Sequence, residues 1–451
     1  RDLFIFYQLY APPDIKITFF PLFYNRRKFE NLLPKKILYL YMSNTKKTWQ
    51  GHSTKRRNSA FFLFVFLGML TAFGPFVTDM YLPSLPAMTA FFNASTPQVQ
   101  LGLTFSMLGL AAGQILFGPL SDKYGRRLPL LISLWLFLGA TLGCIWAPGI
   151  WFFVLLRFVQ GCAAAGGIVI SRSIATDKFK GASLAKALAI VGAINGIAPV
   201  SAPIIGGAVL KWTDWRGVFA VLFVLGIMLL GACIHFNESL SHAKRSRTPL
   251  LKTFSLFKGV CTNKTFMGYT LQVSCALGIL FAYIAASPFI IQQHYGFSPL
   301  AFSLFFGINA VAIGIGAGLS VKFKRQENCV LTSCAGMFIG SVLVWGALLG
   351  GANIWLFEGL LFALLFMMGL SLTAATTLAM DSVRQQAGTG SALLGACGFL
   401  FGSIVSPLVG MGNMLFTTGL VLVLCAVCSG VCALWVRKKT ASAARTADVC
   451  A

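Results

Sequence analysis

The sequence predicts an all-α membrane protein of twelve transmembrane helices, built as two six-helix halves. Three observations carry this expectation. Hydrophobic residues form 57% of the 451-residue chain and charged residues 11%, where a soluble globular chain is about one-quarter charged. Residues 61–436 are a succession of apolar runs, each near the ~20 residues needed to cross a bilayer, with short turn-forming or charged breaks. The longest polar interruption, Asn237 to Lys264, falls in the middle and separates two stretches of nearly equal length, as an internal duplication would. A membrane β-barrel would need alternating segments of about ten residues, whereas Ala60 to Val77 is continuously apolar.

In chain order, residues 1–41 are aromatic, basic and irregular, with prolines at 12, 13, 21 and 34 that break any amphipathic helix. They lack a signal peptide's order of basic, apolar and small residues, and we read them as an upstream segment without a working role. Residues 42–59 read as a cytoplasmic tail. The first half, 60–236, carries runs near 60–88, 98–119, 128–147, 150–171, 185–210 and 216–236. A central cytoplasmic loop, 237–264, follows. The second half, 265–436, carries runs near 266–290, 300–321, 330–350, 354–379, 388–412 and 415–436, and residues 437–451 form a second cytoplasmic tail.

Lys and Arg orient these spans. With the amino terminus inside, cytoplasmic segments hold Lys55-Arg56-Arg57, then Lys123, Arg126 and Arg127, then Arg172, Lys178, Lys180 and Lys186, the basic central loop, Lys322, Lys324 and Arg325, Arg384, and Arg437-Lys438-Lys439. The opposite side holds only Lys211 and Arg216. That asymmetry places both termini in the cytoplasm. It also accounts for the formal net charge of +24 without a nucleic-acid partner. The 12 cysteines are scattered, mostly inside apolar runs, and Cys425, Cys428 and Cys432 have no His or acid beside them, so they read as packing residues and no metal site is expected. Four scattered histidines and the lack of a phosphate-binding loop argue against an enzyme. A sensor would need a larger soluble domain than the central loop supplies.

Chemistry concentrates in four places. Between spans 2 and 3 stands Gly118-Pro-Leu-Ser-Asp122-Lys-Tyr-Gly125-Arg126-Arg127. Here Gly118 would permit close helix contact, Gly125 a tight turn, and Asp122 would accept from arginines or a neighbouring helix N-terminus. Span 4 contains Arg157-Phe-Val-Gln-Gly161, and span 1 contains Asp79 within Gly74-Pro-Phe-Val-Thr-Asp79-Met-Tyr-Leu-Pro83. Each lies about seven residues from the outer end of its span, roughly 10 Å deep at the helical rise. Such residues need a partner or a wet cavity. Sharing one level, they make a site where burial and a movable guanidinium compete over the ionisation of an acid, as proton coupling requires. Span 5 carries Gly192, Gly196, Pro199, Pro203, Gly206 and Gly207, residues that bend a helix and admit close neighbours. Asp177, Asp381, Glu238 and Glu327 read as solvated or loop-pairing acids, Glu358 as interfacial or cavity-facing one turn inside span 10, and His235, His242 and His294 as interfacial.

These motifs resemble those of the major facilitator superfamily. The 118–127 loop is similar to its G-x-L-a-D-r-x-G-r-r loop, with a degenerate copy at 318–325 that lacks the Asp. Arg157 to Gly161 is similar to the R-x-x-q-G of proton-coupled members. Ala202-Pro203-Ile-Ile-Gly206-Gly207 is similar to the G-P-x-x-G-G of antiporters, with Ala202 in place of the first glycine. Together with Asp79-Met-Tyr-Leu-Pro-Ser-Leu-Pro, Trp215-Arg216 and Ala286-Ser-Pro-Phe289, the set resembles the bicyclomycin and chloramphenicol resistance (Bcr/CflA) branch of bacterial drug:proton antiporters over residues 60–436.

The resemblance implies a major facilitator fold with a midplane cavity between halves, in a bacterial inner membrane. It also implies proton-driven multidrug efflux by alternating access, with no cofactor beyond the proton gradient. Asp79 and Arg157 would couple protons, and Gly118, Asp122, Gly125, Arg126 and Arg127 would form a latch between the halves. Small drugs, protons and lipid would be the partners of a monomer. Phe76, Tyr81, Gln272, Tyr283, Thr373 and Thr376, with Asp79 and Arg157, are the expected cavity lining, since aromatic walls with few polar anchors suit amphipathic drugs. A proton-coupled metabolite exporter or symporter of the same superfamily is the alternative.

Overall fold

Twelve helices among the described residues are long and apolar enough to cross a membrane in the computed structural model, which describes residues 58–246 and 257–450. In order they are Ala60–Phe92, Thr96–Tyr124, Arg127–Ile145, Ile150–Lys178, Ile190–Val209, Trp215–His235, Lys264–His294, Pro299–Lys322, Gln326–Leu349, Ile354–Asp381, Gly388–Leu408 and Met414–Lys438, called spans 1 to 12 below. Each coincides with an apolar run of the sequence. Several run past it, because a helix keeps its hydrogen bonds until a cap or a breaker ends it: span 2 continues through Asp122 to Tyr124, and span 4 through Asp177 to Lys178. Residues 1–41 and most of the 42–59 segment lie outside the described residues.

Local sequence sets the ends. The Ser59, Ser298 and Asn353 side chains accept from backbone N–H groups in the first turns of spans 1, 8 and 10. Span 1 is interrupted: its first helix, Ala60–Asp79, stops where Pro83 withholds an N–H and would clash with the Asp79 carbonyl. A tight turn at Leu82–Ser84 and a short helix, Leu85–Phe92, complete the span, closed by Asn93 at φ +47°.

The two halves repeat one packing solution. In the first, Gly161 of span 4 lies against the Ser106 carbonyl of span 2, and Gly109 of span 2 against the Phe158 carbonyl of span 4. In the second, Gly369 of span 10 lies against the Ile313 carbonyl of span 8, and Gly316 against the Phe366 carbonyl. At all four positions a Cβ would collide with backbone, so small residues let the helices approach closely, as membrane helices without a hydrophobic drive require.

Between halves, span 2 packs along span 11 and span 5 along span 8. Most of the tight contacts are at the end away from the basic loops, with one on the basic side of the middle, where Gly395 of span 11 sits against Gln114 of span 2. Gln100 donates to the Ala285 carbonyl at 2.9 Å, Gln292 to the Pro83 carbonyl at 3.0 Å, and Gly207 sits against Pro299 and Ser303. Toward the basic end, side chains added at Gly192, Gly196, Gly314 or Gly318 would meet open space, and Arg172 bridges to Ser391 at 3.2 Å. The seam is therefore tighter at the end opposite the basic loops.

Candidate functional site

Arg157 is wholly buried and binds backbone. Its Nη2 donates to the Val77 carbonyl at 2.9 Å, its Nη1 to Gln160 Oε1 at 2.5 Å and its Nε to the Gly102 carbonyl at 3.4 Å. The guanidinium also lies over the Tyr81 ring, 4.2 Å from its centroid, with Phe219 at 5.7 Å. Gln160 in turn donates to Thr141 at 2.7 Å. One cation thus ties spans 1, 2 and 4 together and reaches span 3 through Gln160. The break in span 1 places a carboxyl nearby, because Asp79 is the last residue of the first helix and is only 6% exposed.

No ion pair joins Asp79 to Arg157; the two lie within electrostatic reach of each other. The carbonyl dipoles of Val77 and Gly102 take the place a carboxylate would fill. A fork that holds neutral carbonyls can exchange them for an anion, and that is the chemical capacity of this arrangement.

Span 5 closes on this region. Gly206 lies against the Met80 carbonyl, next to Asp79, and Gly207 against the second half at Pro299 and Ser303. Pro199 and Pro203 lie inside the same helix. Of the six helix-bend residues, Gly192 and Gly196 make no close approach.

The 118–127 loop forms a second polar centre. Gly125 has φ +91°, which turns the chain between spans 2 and 3 and favours glycine. Arg126 pairs with Asp122 at 2.5 Å and with Asp177 at 2.8 Å. Burial opposes its charge, but the bonds from Asp177 and Asp122 outweigh this and hold its pKa above the ordinary arginine value. Glu238 accepts the backbone N–H of Arg126 at 3.0 Å and of Arg127 at 3.1 Å, while Ser239 donates to Asp177 at 2.9 Å. Asp177 and Glu238 are thus loop-pairing acids, as expected. Gly118 needs no close contact: an added Cβ would meet only Val169, at an ordinary 3.8 Å. Among the described residues, the polar partners of this loop belong to the first half and the central segment, not to the second half.

The expected cavity lining divides. Tyr81 is buried inside the first half beneath Arg157, and so faces no space between halves. Gln272 is buried inside the second half, donating to Ser371 at 2.7 Å and Ser429 at 2.9 Å. Gln272 spends its amide N–H donors within its own bundle, whereas the Tyr81 hydroxyl is buried without a hydrogen-bond partner and its ring is held under Arg157, so in this arrangement neither side chain lines a space between the halves. Phe76, Thr373 and Thr376 are half-buried. Tyr283 is buried, two residues from the inter-half bond at Ala285. Sequence reasoning underweighted Glu358, which is buried and takes a hydrogen bond from Asn309 at 2.8 Å.

The sequence profile of the Major Facilitator Superfamily matches residues 61–407. The chain belongs to this superfamily. It is 37% identical over 370 residues to the uncharacterized MFS-type transporter YdgK of Bacillus subtilis, covering 79% of this chain and 92% of that protein. It is 30% identical to the bicyclomycin resistance protein homolog of Haemophilus influenzae, covering 81% of this chain and 94% of the relative. It is 28% identical to a chloramphenicol resistance protein of Pseudomonas aeruginosa, with 72% and 80% covered. Among solved structures, a bacterial homolog of the human lysosomal transporter Spinster, inward-facing and unoccupied, superposes with TM-score 0.67 at 17% identity, covering 84% of this chain and 99% of that one. The D-xylose-proton symporter superposes with TM-score 0.62 at 16% identity, covering 82% and 97%. The protein is a multi-pass membrane transporter with the superfamily fold, not an enzyme.

Proposed function

We propose that this transporter is a proton-driven efflux pump for small amphipathic drugs of the chloramphenicol or bicyclomycin type. It works by alternating access in a bacterial inner membrane, as a monomer with both termini cytoplasmic. One observation carries the reading: Asp79 and Arg157 are both buried in the membrane, close together yet not paired. Relatives named for resistance to bicyclomycin and chloramphenicol support the substrate class.

With basic loops inside, the tight end of the seam is the outer end and the arrangement is inward-facing. Asp79 takes a proton when the outer end opens. After the switch inward it releases that proton, and Arg157 trades the Val77 and Gly102 carbonyls for the new carboxylate. This reshapes spans 1, 2 and 4 where drug enters. Phe76, Tyr283, Thr373 and Thr376 remain the proposed drug contacts. The latch role of the 118–127 loop belongs to the opposite state, in which Asp122, now 54% exposed at its side chain, would meet the second half.

Energised inverted vesicles test the reading, with ethidium and chloramphenicol as probes. The wild type accumulates drug and consumes the proton gradient, and Asp79→Asn inserts normally but loses gradient-driven accumulation. Normal accumulation by that variant overturns the coupling role. Proton and drug moving in the same direction would favour a symporter.

A further inference from the structure

Glu358 sits one turn into span 10, 8% exposed, among the apolar side chains of the second half. Asn309 of span 8 donates to its Oε2 at 2.8 Å, and the same amide nitrogen lies 3.2 Å from the Tyr283 hydroxyl of span 7. The other carboxyl oxygen, Oε1, is buried without a partner, and so is Asn309 Oδ1. Among the described residues, no Lys, Arg or His lies within ion-pair distance of Glu358.

The titratable groups facing it are Tyr283 of span 7 and Tyr295 just beyond that span, whose ring meets His294. Behind them, spans 9 and 12 present Val344, Thr418 and Leu422 to a small cavity shared with Tyr283, Phe357 and Leu361, and none of those three is ionisable. Tyr283 is also within electrostatic reach of Asp79, across the seam from Glu358.

A carboxylate only accepts hydrogen bonds, and this cluster already has more buried acceptors than donors. A proton on Glu358 supplies the missing O–H donor and removes an uncompensated charge from the membrane interior. Tyr283 lies two residues from Ala285, whose carbonyl forms the Gln100 bond that closes the outer seam. Opening that seam brings water to the Tyr283 face and gives the carboxyl a route to exchange its proton.

We propose that Glu358 is a second proton-binding site, held in the second half by Asn309 and Tyr283 and working alongside Asp79 on the facing side of the seam. The proposal rests on the proton-driven reading, in which it raises the number of protons carried per cycle.

The test uses the purified full-length protein in lipid nanodiscs, with infrared difference spectra recorded as pH is stepped from about 5 to about 9, a range wide enough for a buried carboxyl to titrate. The wild type should show two titrating carboxylic-acid bands. Asp79→Asn removes one and Glu358→Gln the other, with size-exclusion profiles unchanged. Asn309→Ala, which leaves the acid in place, displaces the Glu358 midpoint and covers the case in which Glu358→Gln fails to fold. A titrating signal unchanged in both Glu358→Gln and Asn309→Ala overturns the proposal. In a second arm, ethidium is added to the protein with a pH-indicator dye, and Glu358→Gln should release about half the protons of the wild type, by the linkage of binding to ionisation. Loss of ethidium-linked release in the wild type, with Glu358 still titrating, would refute drug–proton coupling and leave the proton site standing.

Discussion

Replacing Glu238 by alanine should loosen the start of span 3. Its carboxylate accepts the N–H of Arg126 at 3.0 Å, of Arg127 at 3.1 Å and of Leu240 at 2.9 Å, with Arg245 at 3.7 Å. The first two are donors that a helix N-terminus leaves without partners, and the anion also faces the positive end of the helix dipole. Arg126, the residue before the first helical position, offers no side-chain cap of its own, so Glu238 acts as a cap supplied from the central segment. Losing a helix cap costs about 0.5–2 kcal/mol and a charge-assisted hydrogen bond about 1.5–3 kcal/mol. The Glu238 side chain is 24% exposed, so water replaces part of what is removed. A local loss of about 2 kcal/mol follows, or roughly 30-fold faster exchange at about 1.4 kcal/mol per tenfold. Hydrogen–deuterium exchange on a peptide spanning residues 122–130 reads this directly. Glu238→Gln, which keeps an acceptor but sets an amide nitrogen against one N–H, should fall between alanine and wild type. Exchange in the alanine variant within about threefold of wild type would show that Glu238 does not hold the turn, since such a change is below 1 kcal/mol.

Arg157→Lys keeps the charge but not the fork that reaches Val77, Gln160 and Gly102 together, so drug accumulation in vesicles should fall nearly as far as in Arg157→Ala. Near-normal accumulation by the lysine variant would mean that charge alone suffices. Gln272→Leu removes the donor to Ser371 and Ser429 and should lower stability in detergent by about 1–3 kcal/mol, with transport per folded molecule retained. Loss of transport at unchanged stability would return Gln272 to the drug path.

What could be read from the chain and what could not differ for a physical reason. Span positions were legible because a bilayer imposes one length on every crossing segment and forbids charge within it. The same scarcity of charge exposed Asp79 and Arg157. Their partners were not legible, since Arg157 binds the carbonyls of Val77 and Gly102, and any residue supplies a carbonyl. Tyr81 and Gln272 look like cavity residues by type, yet the interior of each six-helix half is as able to hold an aromatic ring or an amide as the space between halves. Glu358 reads from the sequence as interfacial or cavity-facing because it stands one turn from the end of its span, and Asn309 and Tyr283, on other helices, announce no connection to it.

Gly206 shows how geometry joins features that the sequence lists separately. Its contact with the Met80 carbonyl sets span 5 against the residue following Asp79, while Gly207, one position on, rests on span 8. Neither contact tolerates a Cβ without backbone movement. In the proposed alternating-access cycle, opening the outer seam would slide span 5 against span 8 and so press on the chain at Met80. The environment of Asp79 would then change with the state of the seam, and a bond between the halves, Gln100 to Ala285, lies two residues from Tyr283 along span 7. In the proposed proton-driven cycle, Asp79 neighbours one contact that must break when the outer end opens and Glu358 connects to another through Asn309 and Tyr283, so packing would link ionisation to rocking.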